Sequence, residues 1–307
     1  MPLSKLISTP SDIFPSGTKH LFVFAHQDDD LPYAGLLQRA LPDSQVIWVT
    51  NGDGLAPFEG WEPEAYAVMR TGEGRAALRI LGYPPENVHF LGHSELMFYA
   101  LFAELHECGT LSGVPAILKD QVTAIATEIK EAIRPAVEAA DVVWTLAWQG
   151  GHPEHDLTHY LTARVVQETE IAQGRRIPFY ELPAYELTVL VPLRFAPWHR
   201  GVRHRIDLSA QELRLKEAAF SAYKSQGKIT SQFKNLIRIY GALSALRLRP
   251  FGFKGYARVE EFAPVPANRD YLQSTHGHDF LDYMFDDYQG RPVTFSGSIR
   301  RFVELLK

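Results

Sequence analysis

The sequence predicts an α/β fold: a Rossmann-like, mostly parallel sheet with helices on both faces and an active site at the strand carboxyl ends. Two observations lead there. Short β-rich runs alternate with helical patterns through the first half of the chain, the pattern of βαβ units. Clusters of polar and charged residues follow directly on those runs, where open α/β sheets bind their ligands.

Taken in order, strand-like runs occupy residues 20–25, 45–50, 87–91 and 141–147, with helical patterns at 32–40, 63–81 and 119–140 between them. Right-handed crossovers would bring the strand carboxyl ends to one edge, so that segments 25–30, 51–54, 92–95 and 148–156 converge. An apolar run at 187–193 extends the sheet pattern. Residues 208–225 read as an amphipathic helix and 231–246 as another, and the chain turns irregular after Pro250. No linker interrupts this pattern. We expect a single domain over 1–307, with its core at about 18–263 and a C-terminal extension over about 264–307.

The chain has a net charge of −5 and a pI near 6.2, so no global basic field favours a nucleic-acid partner. Cys108 is the sole cysteine, which excludes an internal disulfide framework and Cys-based zinc fingers and fits a cytoplasmic location. No apolar run approaches the ~18 residues of a membrane span, and the N-terminus lacks signal-peptide character.

Two clusters carry the chemistry. Ala25-His26-Gln27-Asp28-Asp29-Asp30 follows the apolar run 21–24, and Gly151-His152-Pro153-Glu154-His155-Asp156 follows the run 142–147. Adjacent carboxylates at a buried strand end are costly unless a cation or hydrogen bonds compensate them. A catalytic zinc typically takes three His or carboxylate ligands and keeps one position open. His26 and Asp29 could supply two ligands, and His152 and His155 compete for the third. Pro153 suits the first position of a helix, which places His152 near the N-cap and His155 on the first turn. His155 and His159 lie four apart on that helix and form an alternative pair. Asp28 is left beside the cation, suited to general-base work, and an unbound cationic histidine could stabilise an oxyanion. Together these parts indicate metal-assisted amide hydrolysis.

These residues resemble the LmbE-like zinc deacetylases, which include the GlcNAc-phosphatidylinositol de-N-acetylases and the deacetylases of mycothiol and bacillithiol synthesis. The family's Ala-His-Pro-Asp-Asp-Glu is matched by residues 25–30 and its His-Pro-Asp-His by residues 152–155. Its Thr-x-Gly segment is matched by Thr50-Asn51-Gly52, and its Arg-x-x-Glu by Arg70 and Glu73. A Lys…Ser-Gln helix end is matched by Lys216 through Ser225-Gln226, with a weaker match at 256–262. The resemblance implies zinc ligands His26, Asp29 and His155, one ion per chain, although two histidines and a carboxylate also suit Fe2+ or Mn2+. It implies Asp28 as the base that activates water and His152 as the oxyanion partner and acid. Arg70 would bind substrate hydroxyls, and Glu95 stands where the family often has a substrate-binding Asp. Asp30 and Glu154 would support the ligands from behind. Gln27, Asp30 and Glu154 depart from the family residues Pro, Glu and Asp. The implied substrate is an N-acetylated amino-sugar small molecule or glycoconjugate. The alternatives are an amidase for larger N-acyl conjugates and a non-catalytic metal- or sugar-binding member.

Other signals weigh less. Residues 72–77 fit a dinucleotide fingerprint but lie within a helical pattern with no strand before them. His89 reads as a packed histidine, His93 as nearer the crevice, and Trp148 as packing. The basic stretch 228–258 reads as a solvated face in preference to a surface for anionic lipid.

Overall fold

The computed structural model describes residues 6–8, 13–148, 151–184, 193–195, 199, 201–227, 253–274 and 283–307. An eight-stranded sheet forms the centre. Its strands are β1 (Leu6–Ser8), β2 (His20–Phe24), β3 (Ser44–Thr50), β4 (Val88–His93), β5 (Val142–Leu146), β6 (Phe179–Leu182), β7 (Arg203–Asp207) and β8 (Val259–Pro264). The order across the sheet is β1-β7-β8-β6-β5-β2-β3-β4. All neighbours pair in parallel except β8, which runs antiparallel to both β6 and β7.

The strands split their side chains between two cores. Leu21 and Val23 of β2 face one side, under α3 (Glu95–Glu107), α4 (Ala116–Ala139) and α5 (Pro153–Gln173). Phe22 and Phe24 face the other, with α1 (Ala34–Ala40), α2 (Pro63–Leu81) and α6 (Ala210–Phe220). This follows from topology. From β2 the chain steps outward through β3 to β4, and then α3 and α4 carry it back to β5 on the opposite side of β2. Crossovers of one hand that step in opposite directions place their helices on opposite faces. Strands covered on both sides favour apolar residues at nearly every position, which is why β2 and β5 read as near-continuous apolar runs, broken only by His20 and Thr145, and are buried throughout. Trp144 fills one core, stacked 4.7 Å from Tyr180 and 5.6 Å from Phe22, with its indole N–H donating to His20 Nδ1.

The predicted fold class holds, and the four strands and three helices expected in the first half of the chain lie within a few residues of their expected places, as β2 to β5 and as α1, α2 and α4. Four strands of the sheet were not anticipated: β1, β6, β7 and β8. The expected run 187–193 and helix 231–246 lie almost wholly or wholly outside the described residues, as does most of the basic stretch 228–258. Leu193 itself is in a turn. Residues 72–77 sit inside α2, so they form no phosphate-binding loop. His89 is exposed rather than packed, because β4 is the sheet's edge strand. Among the described residues, no helix is long and apolar enough to cross a membrane.

Candidate active site

The strand order reverses direction between β2 and β5, and at such a switch point the loops leaving two neighbouring strands diverge and open a crevice. Both His/Asp clusters are delivered there, one by each strand.

After β2 the chain folds tightly back on itself. Asp29 Oδ2 accepts bonds from the backbone N–H groups of Ala25 (3.1 Å) and His26 (3.0 Å), which turns its other oxygen into the crevice. Asp28 adopts a φ of +98°, an unfavourable region for a side chain with a Cβ. Several contacts hold it there. Its N–H donates to Asp30 Oδ1 (3.2 Å), which also accepts the Tyr223 hydroxyl (2.6 Å). Arg70 donates to the Gln27 carbonyl and lies 3.3 Å from Asp28 Oδ1. Gln27 stands where the resembled motif has proline, and it is wholly buried. Its amide donates to the Thr50 carbonyl (3.1 Å), and its side chain packs against Gly52, where any Cβ would collide with it, and against Gly74, where a Cβ would sit tightly at 3.2 Å. A hydrogen bond to β3 thus constrains this loop in place of a proline ring.

After β5, His152 is the N-cap of α5 with Pro153 at the first helical position, as the sequence indicated. His155 follows on the first turn and is fully buried. His159, one turn further, is also buried, but its ring nitrogens are engaged by the Leu146 carbonyl (2.7 Å) and the Tyr271 hydroxyl (3.2 Å). Burial holds its pKa down at about 3. The alternative pairing of His155 with His159 is therefore not formed.

Among the described residues, His26, Asp29 and His155 are the group whose ligand atoms converge, all within 4.8 Å of one another. His155 Nε2 lies 3.2 Å from His26 Nε2 and 3.2 Å from Asp29 Oδ1. Tetrahedral bonds of about 2.0–2.2 Å would space ligand atoms roughly 3.3–3.6 Å apart, so these two edges have about the right length for one small cation. The chemistry of the set agrees: two imidazoles and one carboxylate, beside an open crevice. His26 Nδ1 lies 3.2 Å from Asp28 Oδ1, a contact that assigns the proton to Nδ1 and leaves Nε2 free to bind. Burial opposes ionisation of Asp29, but the two histidines and the two N–H donors overcome it and hold its carboxyl well below the usual range.

The remaining site residues form a tight surround. His152 has its ring 5.4 Å from that of His26 and 4.9 Å from that of His155. Burial first, then the neighbouring histidines, push its pKa well down. Arg70 is almost fully buried. Besides Asp28 it reaches Glu73 (3.7 Å) and Ser225 (3.4 Å) and stacks over the Tyr223 ring. Glu95 begins α3, with one carboxylate oxygen accepting from Thr50 Oγ1 (2.8 Å) and the other from Gly54 N–H (3.1 Å). Burial raises its pKa. Asp30 is pushed up to about 7 by burial, and Glu154 to about 8 by burial and then the charge of Glu95. His93 turns away, 5.9 Å from the Phe98 ring and within the field of Glu128 on α4. Trp148 packs edge-on against Tyr271 and Phe295.

Three contributors escaped the sequence reading. Tyr223 and Ser225 lay in a recognised motif without a role. In the fold, Tyr223 holds Asp30, and Ser225 donates to Glu73 (2.6 Å), the carboxylate beside Arg70. Phe285, 5.5 Å from His152, carried no local signal.

No curated protein matches the chain. Among solved structures, it is similar to an N,N'-diacetylchitobiose deacetylase from Pyrococcus horikoshii complexed with its inhibitor MPG, at 14% identity. That alignment covers 83% of this chain and 86% of the other, with a TM-score of 0.49. Residues 21–166, the stretch that carries both His/Asp clusters, match the family model PIG-L, GlcNAc-PI de-N-acetylase.

Proposed function

We propose that the protein is a metal-dependent N-deacetylase that hydrolyses the acetamido group of an N-acetylglucosamine-type sugar or conjugate. The observation that carries this reading is the convergence of His26, Asp29 and His155 at the switch point, with Asp28 and His152 beside them. The PIG-L match over residues 21–166 supports the substrate class.

His26, Asp29 and His155 would hold the cation. A divalent ion there, with zinc the best match to this donor set, would polarise the amide carbonyl and acidify water. Asp28 takes the proton of the attacking water as its oxygen bonds to the carbonyl carbon. The bonds from Arg70 and Asp30 hold the Asp28 backbone in its strained conformation for that step. His152, kept neutral by burial and its histidine neighbours, donates a ring N–H to the developing oxyanion. When the C–N bond breaks, Asp28 returns the proton to the leaving amine, giving acetate and a free amino sugar. The role of His152 is thereby narrowed from the sequence expectation of a cationic acid to a neutral hydrogen-bond donor. Arg70 serves in this reading by orienting Asp28, and Glu95 by shaping the 50–54 loop.

The test is amine release from N-acetylglucosamine conjugates, with and without a chelator, in the wild type and in Asp28→Ala. Chelator-sensitive turnover that falls at least about a hundredfold in the variant is expected. Metal-independent turnover, or full activity in the variant, overturns the reading. Release from longer N-acyl conjugates but not from acetyl ones would instead identify an amidase.

A further inference from the structure

Phe58 is 74% exposed although it is a large apolar side chain. It lies in the single turn Ala56–Glu59, directly after the 51–54 loop at the carboxyl end of β3. Its ring sits 6.1 Å from that of Phe285, inclined by 29°. Phe285 in turn lies 5.5 Å from the His152 ring. The two phenylalanine rings therefore lead from solvent to the His152 ring beside the crevice. A lone exposed apolar residue needs no explanation. Phe285 is different, because the segment bearing it is fastened to the helix start that carries the site. Met284 N–H donates to the Gly151 carbonyl (2.8 Å), and the Tyr283 hydroxyl donates to Asp156 Oδ2 (2.6 Å), one residue after His155. Met284, the next residue toward the site's helix start, is itself 44% exposed. The side chains of Phe58 and Phe285 bring no hydrogen-bonding atom to this surface. It suits C–H groups and would leave hydroxyls without partners.

Resting on the deacetylase reading, we propose that Phe58 and Phe285 form a subsite for an apolar aglycone, an alkyl or aryl group joined to the acetamido sugar. The polar end of the crevice, with Asp28 and His152, takes the acetamido group, and the ring pair takes the hydrocarbon. The subsite makes the protein prefer hydrophobic N-acetylglucosaminides over the free sugar.

The experiment compares kcat/KM for octyl N-acetylglucosaminide, below its micellar concentration, with that for N-acetylglucosamine. Phe58→Ser is the variant of choice, since so exposed a residue contributes little to folding. The wild type is expected to favour the octyl glycoside by roughly tenfold, mainly through KM, the worth of about one methylene in an apolar pocket. Phe58→Ser is expected to bring that ratio close to one. A wild-type ratio near one, or a tenfold ratio that the variant leaves unchanged, overturns the subsite while the deacetylase reading stands. If the wild type deacetylates no sugar, that reading fails on its own. The subsite is then judged by calorimetric binding of the octyl glycoside, with weakened binding in Phe58→Ser expected and equal binding in both proteins fatal to it.

Discussion

Replacing Glu260 by alanine tests how the fold braces the site from behind. Glu260 lies on β8 and is 1% exposed. Its two carboxylate oxygens accept the N–H groups of Gly35 (2.9 Å) and Leu36 (2.8 Å) in the first turn of α1, the helix that follows the His26–Asp30 loop. The same carboxylate pairs with the buried Lys216 ammonium at 2.8 Å, and that ammonium also donates to the Pro32 carbonyl (2.5 Å). Glu260→Ala therefore strands one buried cation and two helix-terminal donors. Breaking a buried pair from one side costs about 3–5 kcal/mol, and each orphaned donor about 1–3 kcal/mol. The terms do not add in full, because Lys216, whose pKa burial already lowers, can shed its proton. A loss of about 4–6 kcal/mol is expected, a large part of the roughly 5–15 kcal/mol that stabilises a typical domain. Urea unfolding monitored by tryptophan fluorescence measures it as a fall in midpoint at constant slope. Adding Lys216→Met should recover about half of the loss by removing the stranded charge. A loss under about 1 kcal/mol for the single variant, or a double variant worse than the single, refutes this reasoning.

Other outcomes follow from the same contacts. Tyr223→Phe keeps the ring beneath Arg70 but deletes the bond to Asp30. It should lower kcat roughly tenfold in steady-state assays, with metal content and melting temperature little changed. Metal removal by a chelator should lower the melting temperature by about 5 °C at metal concentrations near a hundred times Kd, read by scanning calorimetry. Stability should also depend on acid. Burial lowers the pKa of His20 from 6.5 to about 4, so the unfolded chain binds the proton more tightly. The contribution of His20 is complete above pH 6.5 and is lost as the pH falls towards 4, a change of roughly 3 kcal/mol. His20→Gln, which keeps an acceptor for Trp144, should flatten that limb in unfolding curves taken from pH 4 to 7.

The parts of the fold that were legible in sequence are those whose cause is local. β2 and β5 are covered on both faces and so appear as near-continuous apolar runs, and the histidine-proline-x-histidine start of α5 announces its own cap and first turn. The choice of His155 over His159 was not local, because it depends on the Leu146 carbonyl and on Tyr271, 112 residues away, claiming the His159 ring. The strands β7 and β8 escaped notice for a related reason. Their sequences, Arg-His-Arg-Ile-Asp and Val-Glu-Glu-Phe-Ala-Pro, carry charges whose partners, such as Lys216 for Glu260, come from distant segments. Tyr223 and Phe285 were invisible in the same way. Each acts on a cluster more than a hundred residues from it in the chain, and no period or spacing records such a contact.

Calorimetric titration of zinc into chelator-stripped protein, with His155→Ala alongside the wild type, tests the metal centre most directly. One ion per chain is expected for the wild type, with affinity lost by at least about a hundredfold in the variant. No binding to the wild type, or equal binding to both proteins, contradicts the assignment of His26, Asp29 and His155 as a metal centre.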